Sequence, residues 1–414
     1  MAATDVIVLG AGMAGVSAAL HLQRRGRSVA LVDRRAPGEE TSYGNAGIIQ
    51  REGVVPYPFP RDPVLIAKYA LNLQPEAHLH WSALPWIAPW LYRYWRASTP
   101  EAVAATARGA RPLVERCILE HEALMGEAGI LGMIRRTGYL RIYRTAEGLD
   151  QALVKEQADQ QAYGVNFQAL DRRGVAELEP HISERIAGGM LMPDPVSVGD
   201  PGGVVKAYAS LLETHGGRFL SGDARTLEAS GGGWTVQTSK GPVTAAAVVI
   251  ALGPWSSDVF HKFGYRFPLG VKRGYHRHFR PEGNATLSRP VLDVERGYVL
   301  APMMQGIRIT TGVEFGRRDA PPTPVQLERA APAAREVFPL GGPLEAEPWL
   351  GRRPCLPDML PIVGPAPRHR GLWFDFGHHH LGFTLGPVTG RLLAEMMMGE
   401  APFTDPAPYR AERF

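Results

Sequence analysis

The opening run of this chain constrains its fold more than any other feature. Val6-Ile-Val-Leu9 is uniformly apolar, Gly10-Ala-Gly12-Met13-Ala14-Gly15 follows, and a helical pattern runs from Val16 to about Arg25 before Gly26 ends it. Ser28 to Val32 is apolar again and closes on Asp33. Strand, glycine turn, helix and second strand make a βαβ unit. Each glycine has a steric reason: the first permits a sharp turn, the second lets a pyrophosphate approach the backbone, and the third lets the helix pack on the sheet. The helix N-terminus offers free N–H groups and a favourable dipole to phosphates. Asp33 stands 18 residues past Gly15, where an acid accepts hydrogen bonds from ribose hydroxyls. A glycine-rich turn without a ligand is the alternative; strand, helix and acid in their expected places argue against it.

At 414 residues the chain is long enough for two domains, or three, with sizeable cores. Its 47 glycines and 36 prolines favour tight turns over a coiled coil or helical repeat. The net charge of +4 is small and unclustered, which excludes a nucleic-acid binder on electrostatic grounds. Cys117 and Cys355 form no paired motif, so neither a disulfide framework nor a structural zinc site is expected. No secretory leader is read at the start, and no apolar run reaches the roughly 18 residues that span a bilayer. The expected compartment is the cytoplasm.

Further along, helices are expected over Glu101–Gly129, Ala146–Tyr163, Val204–His215, Thr323–Val337 and about Thr389–Met398. Strands are expected at Tyr139–Tyr143, around Phe219, at Trp234–Thr238, Ala246–Leu252 and Leu372–Phe376, with a set of strands and turns across Gly264–Phe315. Between Pro56 and Pro100, prolines recur beside Trp81, Trp86, Trp90 and Trp95. The favoured reading is helices that bury aromatic faces; a peripheral contact at the inner face of the membrane is the alternative.

The glycine fingerprint serves both FAD and NAD. Two remote segments discriminate. Thr41-Ser-Tyr-Gly-Asn-Ala-Gly47-Ile-Ile is small and polar enough to lie flat on a large ring system. Gly377-His-His-His-Leu-Gly382 precedes the last helix, where backbone N–H groups can meet the anionic edge of a reduced ring. Two such segments, far apart in sequence, suit an extended, buried FAD.

Those motifs, with Val248-Val-Ile-Ala-Leu-Gly253-Pro-Trp-Ser, Gly351-x-Arg353-Pro354, Pro357-Asp358 and Pro361-Ile-Val-Gly364, occur in an order that resembles the D-amino acid oxidase superfamily of flavoproteins. Within it the chain looks most like bacterial D-amino-acid dehydrogenases of the small-subunit type. The resemblance implies an α/β fold: a Rossmann-like FAD-binding domain of glutathione-reductase type, beside a substrate domain with a large mixed or antiparallel sheet. The expected division is 1–60, 200–262 and 345–414 for FAD, and 61–199 and 263–344 for substrate.

The resemblance also implies residue roles. Gly10, Gly12, Met13, Ala14, Gly15, Asp33 and Arg34 would hold the ADP half. Ser42, Asn45, Ala46, Gly47 and Ile48 would line the isoalloxazine, and Ala224 would present backbone groups to adenine. Ala251, Gly253 and Trp255 would pass near the pyrophosphate and ribose. Gly377, His378, Leu381, Gly382, Phe383 and Thr384 would contact the flavin pyrimidine. Where some relatives attach flavin through a cysteine, this chain has Gly351, with Cys355 out of register, so non-covalent FAD is expected.

FAD carries the hydride step of such a reaction, leaving the protein to orient a neutral amine. A carboxylate substrate wants an arginine, whose planar fork matches two oxygens. Arg353 and Arg308 are the candidates, with Tyr275 as a hydroxyl donor and His379 as an acceptor of the amine proton. Met303 follows Tyr298-Val-Leu-Ala-Pro302, where related oxidases often carry the carboxylate arginine. Lys272 is a further cation near this region, and the three consecutive histidines at 378–380 do not read as a metal site.

The leading expectation is therefore oxidative deamination of a small amino acid, D-configured or proline-like, with electrons passed to a quinone or another acceptor. An oxygen-using amine oxidase of glycine or sarcosine type is the alternative. A non-catalytic flavin-binding subunit and an NAD-dependent dehydrogenase are the readings from other classes. Homo-oligomerisation is left open.

Overall fold

The computed structural model describes residues 2–414. The opening strand, Ala2–Leu9, pairs in parallel with Val29–Asp33 on one edge and Gly241–Ile250 on the other. Arg218–Ser221 extends the sheet beyond Val29–Asp33, and Leu372–Phe376 joins Gly241–Ile250 near its C-terminal end. The N-terminal half of that same edge takes the antiparallel strand Gly233–Thr238.

Alternate residues of these strands feed two cores, which is why the strands are apolar throughout rather than alternating. Val6, Val8, Leu31 and Val249 enter the core beneath the helices, while Ile7, Leu9, Val32 and Ile250 enter a second one with Phe260, Trp234 and Phe374. Each fully buried aliphatic side chain contributes about 1.5–3 kcal/mol relative to exposure.

The first helix, Met13–Gln23, and the final helix, Gly382–Met398, pack with their backbones almost touching. A Cβ on Gly386 would lie 2.9 Å from the Met13 carbonyl carbon, and one on Gly390 would lie 2.6 Å from the Ala18 nitrogen. Residues thus advance together along both helices, so the two run parallel and start at the same end. The final helix begins at Gly382, not at Thr389 as the sequence suggested. Pro387 falls within its second turn, a position at which proline ordinarily interrupts a helix.

A second sheet of eleven strands is built around Gly270–Pro281, which pairs antiparallel with Gly306–Thr311, Val313–Phe315, Leu340–Pro343 and Trp349–Cys355. The expected boundary at residue 345 separates Trp349–Cys355 from the sheet in which it pairs. A small third sheet joins Ile48–Ile49 to Val196–Val198, and that strand to Ile134–Arg135.

The helix Leu84–Arg96 differs from the favoured expectation. Only Tyr94 is buried in it; Trp90 turns inward, whereas Trp86 and Tyr92 are more than half exposed. Among the described residues, no helix is long and apolar enough to cross a membrane.

Candidate active site

A cavity of about 890 Å³ runs from the glycine turn, between the two sheets, to Trp349–Cys355. That volume suits a large cofactor together with a small substrate.

At one end Gly10 adopts φ +109°, and any Cβ there would strike the Ala251 carbonyl oxygen at 2.4 Å. Gly15 has no room either, with the Gly10 oxygen 1.9 Å from where its Cβ would stand. Gly10, Gly12, Met13 and Ala14 line the cavity, while Gly15 serves the packing behind it. Asp33 accepts from the Ala11 nitrogen at 2.7 Å and the Arg35 nitrogen at 3.1 Å, which fixes its carboxylate at the cavity wall. Arg34 lies over the Trp255 ring at 4.7 Å. Ala224 and its short 3-10 turn, capped by Asp223, form the adjoining wall.

Further in, the loop after Thr41 crosses the cavity. Ser42 Oγ accepts from the Met13 nitrogen at 3.0 Å, joining this loop to the start of the first helix. Ser42, Asn45, Ala46 and Ile48 line the cavity. Gly47, at φ +72°, has the Val198 oxygen 2.1 Å from its Cβ position, so it holds the loop to the small sheet. The N-terminus of the final helix arrives opposite, with Leu381, Gly382 and Phe383 on the wall and no side-chain cap. Thr384 lies behind, accepting from the Gln50 nitrogen and donating to the Ile48 oxygen. Gly377 also lies behind the wall, with Leu356 Cδ1 2.5 Å from its Cβ position.

Two parallel helices with adjacent N-termini bring positive dipole ends together, an unfavourable arrangement that an anion between them relieves. The donor set therefore fits a dinucleotide: N–H groups for pyrophosphate, Asp33 for ribose, and a flat glycine-rich loop for a ring system.

At the far end stand Lys272, Tyr275, Arg353, His379 and His380. Arg353 Nη1 donates to the Gly312 oxygen at 2.7 Å and Nη2 to the Thr311 oxygen at 3.2 Å, and its guanidinium lies across Gly274, where a Cβ would come within 2.9 Å. Burial pushes its pKa down, yet no carboxylate pairs with it among the described residues. Arg353 itself is part of the cavity lining.

The other three expected catalytic residues are placed differently. Arg308 does not line the cavity. It sits behind the flavin loop, donating to the Tyr43 and Asn45 oxygens and to His278 Nε2. Burial lowers its pKa to about 10. Tyr275 reaches the cavity wall, but its hydroxyl donates to Glu314 and accepts from Arg273 and the Thr323 nitrogen, so it has no proton left for a substrate. His379 is on the wall with φ +56°, and its Nε2 already accepts from the Leu356 nitrogen at 3.1 Å. Burial, reinforced by Lys272 and His380, pushes its pKa well below the ordinary value. It is a neutral, engaged side chain rather than a proton acceptor.

His378 lines the cavity, with its Nε2 held by the Thr389 hydroxyl at 3.0 Å and Asp375 at 3.2 Å, and among the described residues no group of three His, Cys, Asp or Glu is placed to hold a metal. Gln50, Tyr57 and Tyr94, not among the expected site residues, are also on the wall. The Pro- and aromatic-rich texture of residues 56–100 was the available signal, because such residues line a hydrophobic pocket as readily as they fill a core.

The fold and the cavity together define a flavoprotein of two-sheet architecture, and comparison with known proteins agrees. The profile of the DAO family, FAD dependent oxidoreductases, matches residues 5–396. The chain is 31% identical over 421 residues to a D-amino-acid oxidase of Bradyrhizobium diazoefficiens, covering 99% of this chain and 98% of that protein. It is also 31% identical over 430 residues to a D-amino acid dehydrogenase of Cereibacter sphaeroides, covering 99% and 95%. Among solved structures, glycine oxidase from Geobacillus kaustophilus superposes with a TM-score of 0.75 at 22% identity, covering all of both chains. L-proline dehydrogenase from P. horikoshii gives 0.73 at 18%, covering 100% of this chain and 98% of that one. This chain belongs to the DAO family of FAD-dependent oxidoreductases.

Proposed function

We propose that the protein oxidises the C–N bond of a small amino acid, D-configured or proline-like, and passes the electrons to a quinone or another acceptor. The observation that carries this reading is Arg353: a half-buried guanidinium on the cavity wall, braced by two backbone carbonyls and paired with no acid among the described residues. A buried cation without a counter-ion is costly unless a ligand supplies one.

FAD, when bound, supplies the hydride acceptor at N5. The chain's own residues then have three tasks. Arg353 takes the substrate carboxylate in its fork and so fixes where the α-carbon lies. His379 and His380 stay neutral, the latter with its pKa pushed down to about 3 by burial and by Arg353 and Lys272, so they add no charge to compete with the carboxylate site. Tyr57, Phe59 and Tyr94 close the cavity with aromatic surface and limit access of water to the reacting carbon. Among the described residues no free side chain is placed as a base, which fits a substrate amine that loses its proton to solvent as it binds.

Anaerobic flavin bleaching tests the reading across D-amino acids, L-amino acids, prolines and N-methyl amines. Bleaching by one carboxylate-bearing class supports it. A flavin that no amine bleaches favours a non-catalytic subunit. Peroxide release compared with dye reduction separates the oxygen-using alternative from transfer to another acceptor.

The exposed aromatics support delivery of electrons at a membrane surface. Trp81, Trp86 and Tyr92 are exposed on the helical segment 81–96, as are Val64, Leu71 and Leu73 on the preceding helix and its exit, to which Trp81 Nε1 donates at the Ala70 oxygen; Arg93 and Arg96 are the only charges on Leu84–Arg96. Apolar rings flanked by cations suit the interface of an anionic bilayer. Co-sedimentation with anionic liposomes, compared with a Trp81→Ser, Trp86→Ser variant, checks this; equal binding by both removes it.

A further inference from the structure

The strands that floor the substrate end set two cations side by side. In the register of Gly270–Pro281 against Trp349–Cys355, Lys272 lies directly opposite Arg353. Such partners project from one face of a sheet with Cβ atoms about 4.5–5.5 Å apart, and like charges there are destabilising. Both side chains line the cavity.

Neither cation forms an ion pair among the described residues. Lys272 Nζ donates to the Tyr94 hydroxyl at 2.9 Å and stands 4.0 Å from the centre of that ring. The Tyr94 hydroxyl in turn donates to the Tyr57 carbonyl, so it acts as acceptor towards Lys272. Two of the ammonium's three protons therefore remain for another partner, as do three of the five guanidinium protons of Arg353. The next residue on the strand supplies the contrast. Arg273 projects to the opposite face and is fully buried there, but it meets Glu314 at 2.7 Å. Away from the cavity the buried cation of this strand meets an acid; on the cavity face Lys272 and Arg353, one from each of the paired strands, form no ion pair with an acid among the described residues.

A single substrate carboxylate accounts for Arg353 and leaves Lys272 without a counter-ion. We propose that the substrate carries a second carboxylate, held by Lys272: an acidic amino acid or an iminodicarboxylate. The inference rests on the amino-acid reading above and names its substrate class. Tyr94 fixes the ammonium from one side, through its ring and its hydroxyl, and directs the remaining protons to the cavity.

The test is flavin reduction under anaerobic conditions by D-alanine, D-aspartate, D-glutamate and iminodiacetate, in the wild type and in Lys272→Met. At least one dicarboxylate is expected to exceed D-alanine in reduction rate over Kd by about tenfold or more, the scale of one charge-assisted hydrogen bond. Lys272→Met is expected to shrink that ratio by a similar factor. A binding measurement needs no turnover: succinate is expected to perturb the flavin spectrum at lower concentration than propionate, and Lys272→Met to reduce the difference. Equal loss on D-alanine and on the dicarboxylates in Lys272→Met overturns the proposal, because it places Lys272 against the flavin. D-alanine outperforming every dicarboxylate, or propionate matching succinate, overturns it as well while leaving amino-acid oxidation standing. If no amine bleaches the flavin, the parent reading falls, and the succinate comparison alone decides whether the site takes two carboxylates.

Discussion

Arg308 donates from one guanidinium nitrogen to the backbone carbonyls of both Tyr43 and Asn45, at 2.9 and 2.5 Å. It thereby clamps the loop that crosses the cavity from the side opposite the ring system. Its face carries the Tyr43 ring at 5.3 Å.

Arg308→Met should therefore weaken cofactor retention before it touches substrate recognition. Two buried carbonyls lose charge-assisted donors, a destabilisation of about 2–4 kcal/mol. A lower melting temperature and a raised FAD dissociation constant are expected, with the substrate KM of the flavin-saturated protein within about twofold of wild type. A large KM change with unaltered FAD affinity would return Arg308 to the substrate.

Arg353→Leu should behave in the opposite way. Loss of the fork is expected to raise KM for an amino acid by roughly tenfold to a hundredfold, while the corresponding decarboxylated amine loses far less. Steady-state kinetics on the matched pair reads the difference, and equal losses on both would remove the carboxylate role.

Gly390→Ala places a methyl 2.6 Å from the Ala18 nitrogen, so the parallel helix pair must separate. Overpacking of this kind costs about 1–3 kcal/mol. Gly386→Ala pushes against Met13 and Ala14, where the glycine turn becomes helix, and is expected to lower FAD affinity as well as the melting temperature. Calorimetry with and without added FAD separates the two effects.

Acidification should destabilise the fold through histidines. Burial lowers the pKa of His21 to about 3 and of His121 to about 4. Unfolded, each takes a proton below about 6.5; folded, each stays neutral until far lower. Stability contributed by these sites is complete above about pH 6.5 and is lost progressively as pH falls towards 4 and 3. Glu52 and Asp293, whose pKa values burial raises, act in the reverse sense, adding stability as pH falls from their raised values towards the ordinary carboxylate range. Urea midpoints between pH 7 and 5 should fall, and His121→Gln should flatten that slope by about one proton. An unchanged slope would show that His121 is protonated in the fold.

Acid precipitation should leave the yellow colour in the supernatant. Cys355 is buried and its thiol contacts the Arg353 carbonyl at 3.5 Å, and burial raises its pKa, which disfavours the thiolate. Cys355→Ser should release flavin identically.

The nucleotide end was legible because its chemistry is local. A turn, a helix start and an acid lie within one short segment, and Gly10 and Gly15 answer to contacts that a Cβ would violate. Strands such as Tyr139–Tyr143 and Leu372–Phe376 and the helix Ala146–Tyr163 were legible from periodicity alone. The substrate end was not, because its geometry depends on strand register. Nothing in the sequence tells that Lys272 stands opposite Arg353, or that Arg308 points behind the loop rather than into the cavity. Tyr275 and His379 line the wall, but a sequence does not show that Glu314 and the Leu356 nitrogen already occupy their polar atoms. The chain Trp349–Cys355 was assigned to the nucleotide half by its position in sequence, whereas its hydrogen bonds run to Gly270–Pro281.

The parallel packing of the first and final helices has a consequence for the order of events during synthesis. Residues 2–33 emerge early and can close one edge of their sheet at once, yet the other edge waits for Gly241–Ile250, and the glycine turn waits for Gly386 to settle on Met13. The cofactor pocket therefore cannot precede the last helix. A ribosome-stalled chain that ends before residue 382 would carry the whole N-terminal fingerprint and capture no flavin, and the face of the first helix that receives Gly386 and Gly390 would be open to aggregation or to a chaperone until the final helix arrives.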